Sequence, residues 1–230
     1  MNILPIKQCV AFGWRTFWAH PWIFIQAGLA VAIVNFLFSL PGDVLEKASK
    51  VATGTEAVQL GIFSLIFSLI SLVAYIYLQM GTTNFMLKAH DDAAHANLKD
   101  LIHLKGFWRY VGTNILVLLA VLVGLVLLIV PGIIVSIALS FALYLVIDKG
   151  AGPINAFKQS LALTKGNRWK LFLLGLMLAG INILGFLALI IGLMVTIPVS
   201  FLASVHAYRL LSGETSSVPE EPVVQETASV

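Results

Sequence analysis

The chain has 230 residues, 59% hydrophobic and only 11% charged, with a net charge of +3 and a mean hydropathy of +0.96. A water-soluble domain of this size cannot hide so much apolar surface. So small and scattered a positive excess gives no basis for nucleic-acid binding. Cys9 is the only cysteine, which rules out an intrachain disulfide and suggests no thiol metal site.

The chain opens on an amphipathic segment in which Ile6, Cys9, Val10, Gly13 and Phe17 share one helical face. His20-Pro21 then leads into an apolar run at 22–40, which reads as an uncleaved signal anchor. A longer run covers 57–87, where Ser64, Ser68 and Ser71 recur at helical spacing with Gly61 one turn before. Small residues so spaced let helices approach closely; a polar pathway for a small neutral or lipidic solute is the sharper alternative.

His90-Asp91-Asp92-Ala93-Ala94-His95 follows, and is the one cluster that could pass for a metal or phosphate site. Its histidines are five apart, whereas two ligands on one helix face need three or four, so it reads as a solvated loop. A short amphipathic stretch comes next, with Leu98, Leu101 and Ile102 apolar and Lys99, Asp100 and His103 polar.

Residues 110–147 and 171–207 are each about twice the roughly 20 residues that span hydrocarbon, so both read as helical hairpins. Pro131-Gly132 should form the turn of the first, and the glycines at 185 and 192 should flank the turn of the second. Between the hairpins, Pro153 suits a helix start, Ile154, Phe157 and Leu161 share a face, and Gly166-Asn167 offers a stop. Pro198 should kink the last span and leave the Met194 carbonyl without its donor. His206, near the end of that span, should bond a neighbouring helix. Proton coupling through it would want an acidic partner in the bundle, and the sequence offers none there. The stretch 212–230, rich in Ser, Thr, Glu, Pro and Val, reads as a disordered acidic tail.

These runs make six spans. No Asp, Glu, Lys or Arg falls inside them, so the usual intramembrane marks of ion or proton chemistry are missing. Alternating strands are absent too, which argues against a membrane barrel. Twelve Lys and Arg fall on one side of the membrane and two on the other, which places both termini in the cytoplasm. Trp22, Trp108 and Trp169 each open a span and serve as interfacial anchors. Lys158, Lys165, Arg168 and Lys170 cluster where an amphipathic segment meets a span, a place suited to anionic lipid. Trp108 and Trp169 each precede a glycine by sixteen residues, Gly124 and Gly185. Three tandem copies of surface helix plus hairpin are therefore expected, at 3–87, 96–149 and 153–211, the first fitting loosely.

Ile129-Val130-Pro131-Gly132-Ile133-Ile134, Leu145-Val146-Ile147-Asp148-Lys149-Gly150 and the stretch from Ala156-Phe157-Lys158-Gln159 to Asn167-Arg168-Trp169 carry a resemblance. They resemble the YciC-like uncharacterised inner-membrane proteins of bacteria. They are also similar to the membrane domain fused to some glycerophosphodiester phosphodiesterases. The resemblance covers about residues 100–211 well and the first two spans in outline. It implies a bacterial inner-membrane location and an association with lipid metabolism, and brings no catalytic residues.

The expectation is an all-α polytopic bundle at 1–211 with short cytoplasmic amphipathic helices. Its expected role is that of a non-enzymatic scaffold or regulator of the envelope that binds lipid or a partner. The alternative is a permease or exporter of a neutral or lipid-like solute. The expected partners are membrane lipids and a protein partner or second copy, with no nucleic acid, cofactor or metal.

Overall fold

The computed structural model describes residues 4–102 and 105–213. His103 and the expected tail beyond Gly213 lie outside them. Among the described residues the chain is helical: α1 (Ile6–Ala19), α2 (Pro21–Val51), α3 (Thr55–Asp91), a 3-10 turn (Leu98–Leu101), α4 (Phe107–Leu127), α5 (Ile129–Ala138), α6 (Ala142–Lys149), α7 (Pro153–Thr164), α8 (Arg168–Leu187) and α9 (Leu189–Ser212). Six crossings are long and apolar enough to span a membrane, with α5 and α6 together making the fourth. This is a multi-pass membrane bundle of three antiparallel hairpins, α2–α3, α4–α5/α6 and α8–α9.

The lead-in elements close the bundle into a ring. The 3-10 turn packs on α3 and α2, α7 packs on α4, α6 and α5, and α1 packs on α9 and α8. Each lead-in element thus rests on the hairpin before it, and the first rests on the last. The ends of the second helices, α3, α6 and α9, meet in the middle at the end of the bundle where Trp22, Trp108 and Trp169 lie. Burial concentrates there, with Met80 to Ala89, Ala142 to Val146 and Val199 to Tyr208 supplying much of the core. The far halves of the hairpins stay apolar and exposed, as lipid-facing helices are.

Close backbone approach fixes these contacts. A Cβ on Gly13 would stand 2.5 Å from the Val199 carbonyl oxygen, so only glycine lets α1 lie on α9. A Cβ on Gly124 would stand 2.9 Å from Gly132 Cα, and Gly185 meets Gly192 and Thr196 in the same way. The second and third hairpins therefore share one device, a glycine pair beside the turn, as expected of tandem copies. The α2–α3 turn at 52–54 has nothing near Gly54 and lacks that device.

Three expectations need correction. The first hairpin turn of this kind is at Leu128, whose extended backbone separates α4 from α5; Pro131 and Gly132 lie inside α5. Proline is tolerated in the first turn of a helix, where its missing N–H has no partner to lose, so Pro131 starts α5 and does not form the turn.

The first span does not stop at Leu40. α2 runs through Pro41 to Val51, because α3 lies alongside and the Ser71 hydroxyl donates to the Phe38 carbonyl next to the proline gap. At 31 and 37 residues, α2 and α3 are about 46 and 55 Å long, well beyond a hydrocarbon layer of about 30 Å.

In α7 the buried face is Ala156, Ser160 and Thr164, while Ile154 is 64% exposed. The two hydroxyls donate to the Ala138 carbonyl, and Phe141 N–H donates to Ser160 Oγ, so α7 satisfies the break between α5 and α6.

The stretch after α3 is a single pinned turn and not an amphipathic helix. Asn97 and Asp100 cap it reciprocally, and Asn84 Nδ2 donates to the Asp100 carbonyl.

Two outcomes follow. Gly81 faces the Leu101 carbonyl with no room for a Cβ, whereas Gly28 faces open space. Gly81→Ala should destabilise by about 1–3 kcal/mol in a thermal melt of the detergent-solubilised protein, and Gly28→Ala should leave the melt unmoved. The second concerns Asp100. Burial pushes its carboxyl up, but the hydrogen bonds from Lys88 and the Asn97 N–H outweigh this and hold it below the ordinary carboxylate value. A depressed folded-state pKa gives support that is present above the unfolded value of about 4 and lost as pH falls through the folded one. Hydrogen exchange at the Asp100 and Ile102 amides, corrected for intrinsic pH dependence, should stay flat from pH 8 to 5 and rise below about pH 4. Asp100→Asn should remove that step.

Candidate functional site

Two features at the packed end stand out, a buried polar node and an apolar cleft. The node is built on the ends of the three second helices. Arg209 of α9 donates through Nη1 to both carboxylate oxygens of Asp148 of α6, at 3.0 and 3.1 Å, and through Nη2 to Asp91 of α3 at 2.6 Å. The Tyr208 hydroxyl donates to Asp148 Oδ2 at 2.7 Å. Arg209 is 8% exposed, and its charge is compensated by the largely buried Asp148 and the half-exposed Asp91.

Behind this ion network lies a histidine pair. His90 Nε2 and His206 Nδ1 are 3.0 Å apart, and His90 Nδ1 is 3.1 Å from Asp91 Oδ1. Asp91 as a carboxylate only accepts, so neutral His90 must carry its proton on Nδ1 and accept at Nε2 from His206 Nδ1–H. The result is a chain of donation from His206 through His90 to Asp91. Phe12 of α1 stacks on His206, with ring centroids 4.2 Å apart, and also covers His90 at 4.6 Å. His206 does bond a neighbouring helix, as its position suggested. An acidic partner for it exists after all, since Asp91 reaches it through His90. His90 is 2% exposed, so the loop reading of 90–95 fails for its first two residues and holds for Asp92 and His95. The period of α3 carries the helix through Asp91, where the polar composition suggested a loop.

The cleft lies between α2, α3 and α9 and encloses about 440 Å3. Gly28 and Ala32 of α2, Leu78 and Phe85 of α3, and Ile197 and Pro198 of α9 make its walls apolar. Asn35, Tyr75 and Gln79 also line it, at the end away from the node, and Gln79 Nε2 donates to the Tyr75 hydroxyl at 2.8 Å. Neither feature contains a triad of metal-ligating side chains among the described residues. Cys9 lies on the buried face of α1, and burial pushes its thiol up to about 11, so it stays protonated at neutral pH.

A family model described as "Protein of unknown function (DUF975)" matches residues 57–215, more than half of the chain. The chain belongs to this DUF975 family. The matched stretch runs from α3 to the end of α9 and so contains every ionic partner in the node, while α1 and the α2 wall of the cleft lie outside it. The chain is also 30% identical over 101 residues to Uncharacterized protein Rv2560 of Mycobacterium tuberculosis and to Uncharacterized protein Mb2590 of Mycobacterium bovis. That stretch is 44% of this chain and 31% of each relative. No solved structure matches the chain.

The residues singled out from the sequence fall in three groups. Trp22, Trp108 and Trp169 open α2, α4 and α8 and are 74%, 81% and 70% exposed, as rings at an interface would be. Lys158 and Lys165 are exposed on and just after α7, whereas Arg168 and Lys170, in the first turn of α8, are partly buried. Pro198 lies inside α9 and lines the cleft, and Asn182 Nδ2 bonds Ser200 Oγ across the α8–α9 contact at 3.0 Å. Gly61 has open space around it, and a Cβ on Gly42 would make only ordinary contact with Ser68 Oγ at 3.7 Å, so neither glycine is required for α2 and α3 to pack.

Removing one partner of a buried ion pair leaves the other uncompensated, which costs about 3–5 kcal/mol. Arg209→Ala should lower the thermal midpoint far more than Lys50→Ala, whose Glu46 partner is exposed. In a double-mutant cycle Arg209→Ala and Asp148→Asn should be strongly non-additive.

Proposed function

We propose that this protein holds the apolar part of a membrane lipid in the cleft between α2, α3 and α9. On this reading it acts as a non-enzymatic, lipid-binding scaffold of the bacterial inner membrane, with both termini cytoplasmic. One observation carries the proposal, the size and placement of the cleft. From Phe24 to Asn35 it follows α2 for eleven residues, about 16 Å, close to half of a hydrocarbon layer of about 30 Å. It therefore matches one leaflet, beginning two residues, about half a turn, inside Trp22. Its volume of about 440 Å3 falls in the range of ligand sites, which are mostly apolar with a few placed polar groups. The basic residues on the same side support the reading, since anionic headgroups gather there. The resemblance of residues 100–211 to the membrane domain fused to some glycerophosphodiester phosphodiesterases, read from the sequence, would be in keeping with a role beside lipid.

A second reading, a permease or exporter of a neutral or lipid-like solute, has its own support. A smaller cavity of about 250 Å3 lies beside the break between α5 and α6, lined by Ser136, Ser140 and Ser204. Irregular backbone at membrane depth is found where it lines a cavity.

Native mass spectrometry of the protein released from its own membrane tests the lipid reading. Gly28 lines the cleft with open space at its Cβ, so Gly28→Phe should fill it without disturbing the fold. The wild type should retain lipid, and Gly28→Phe should retain about tenfold less, a change of about 1.4 kcal/mol, with an unchanged melting curve. Equal retention by both would sink the cleft as the site. Loss of lipid on changing Lys158, Lys165 and Arg168 to Ala would place the headgroup at the surface of α7 and α8.

A further inference from the structure

We infer that the cleft is built for a neutral lipid bearing a hydroxyl group, which it holds at mid-membrane depth through Tyr75, Gln79 and Asn35. The inference rests on the cleft reading above and names the chemistry of its occupant.

Depth is the first argument. Asn35 lies thirteen residues past Trp22, about 20 Å along α2, and Gln79 lies twelve residues before Asp91, about 18 Å along α3. Both positions fall near the middle of a hydrocarbon layer of about 30 Å, where polar side chains are costly and mark function. The walls between that level and the mouth are apolar, apart from Thr82, whose hydroxyl is turned onto the Leu78 carbonyl of its own helix. The polar groups are thus gathered at the inner end of the cleft.

The second argument is what those groups offer. Gln79 Nε2 donates to the Tyr75 oxygen, so the Tyr75 hydroxyl keeps its own proton to give. The pair leaves the Gln79 amide oxygen as an acceptor. Asn35 spends an amide hydrogen on the Val31 carbonyl one turn back, and its oxygen also remains an acceptor. Gln79 and Asn35 each keep a second amide hydrogen, so donors and two acceptors face an apolar cleft together. That mixture matches a hydroxyl, which accepts from Tyr75 and donates to the amide oxygen of Gln79 or Asn35. An ether or ester oxygen answers the donors alone and leaves both acceptors unpaired, and a charged group finds no counter-ion among these three. Tyr75 is half exposed, so its hydroxyl is on the cleft surface and not sealed in the core. A site that bonds a hydroxyl discriminates strongly against the analogue without one, because its own polar groups are left unpaired.

The test compares two probes of equal length, a long-chain primary alcohol and its methyl ether. Each is titrated into the full chain in phosphatidylethanolamine–phosphatidylglycerol nanodiscs and measured by competition against a brominated chain that quenches the protein's fluorescence. The wild type should bind the alcohol at least about tenfold more tightly than the ether. Gln79→Leu should bring the alcohol down towards the ether's affinity and leave the ether unchanged, because only the alcohol has a hydrogen to donate to the Gln79 oxygen. Tyr75→Phe should weaken both probes, because each accepts from its hydroxyl, and this second substitution guards against misfolding of one variant. Equal binding of alcohol and ether by the wild type, both displaced by Gly28→Phe, would overturn the hydroxyl preference and leave the cleft standing. Binding of neither probe, or binding indifferent to Gly28→Phe, would remove the cleft reading and this inference with it. A tenfold preference that survives Gln79→Leu, or ether binding unmoved by Tyr75→Phe, would overturn the assignment of these residues.

Discussion

The Arg209 guanidinium, shared between Asp91 and Asp148, is the interaction on which the arrangement of the bundle depends. In lipid, apolar helices gain little from touching one another, because hydrocarbon solvates them as well as a neighbouring helix does. Specific order must come from backbone approach and from polar ties. The node supplies the tie, joining the ends of α3, α6 and α9 through one side chain with a fixed fork of donors. With those ends joined, the three hairpins take defined places around them. The histidine pair extends the tie to α1 by presenting a flat face to Phe12.

Glycine does the complementary work. The contacts at Gly13, Gly81, Gly124 and Gly185 each bring a backbone so near a neighbour that no side chain fits. Three of these contacts are between helices of the bundle or its turns, and the fourth seats the 3-10 turn on α3. Ser160 and Thr164 act in the same spirit, replacing the helical bonds lost between α5 and α6 with hydroxyls from α7. The ring of lead-in elements is therefore structural as well as interfacial. α7 turns Ala156, Ser160 and Thr164 inward, α1 turns Cys9, Gly13 and Phe17 inward, and Trp14, Trp18 and Ile154 stay outward, where lipid can solvate them.

Much of this was legible in the sequence. Six spans, three hairpins, the tryptophan level and the likeness of the second and third copies all follow from apolar run length and from a few repeated residues. The misses share a physical cause, in that local patterns were overruled by a neighbour. The apolar run stops at Leu40, yet with α3 alongside α2 stays helical through Pro41 to Val51. Ile154, Phe157 and Leu161 share a face of α7 by sequence, yet the residues that it buries most fully are the small Ala156, Ser160 and Thr164. His90 and Asp91 read as loop, yet they complete α3, because Arg209 and His206 meet them from a helix more than a hundred residues away. No window along the chain contains that partner.

The cleft and the node constrain one another because they use the same two helices. α3 lines the cleft from Tyr75 to Met86 and then ends in His90 and Asp91, while α9 lines it from Leu193 to Phe201 and then carries His206 and Arg209. Both walls are thus pinned just beyond the mouth. At its other end α9 is held to α8, where Gly185 faces Gly192 and Thr196. Between these fixed points α9 contains Pro198, where the helix lacks one backbone bond and bends most easily. A ligand that widens the cleft must therefore displace α9 at Pro198 or part α2, whose outer face meets only lipid along much of its length. The ends at the node stay where Arg209 holds them, which makes the width of the cleft adjustable while its depth and its polar floor remain fixed.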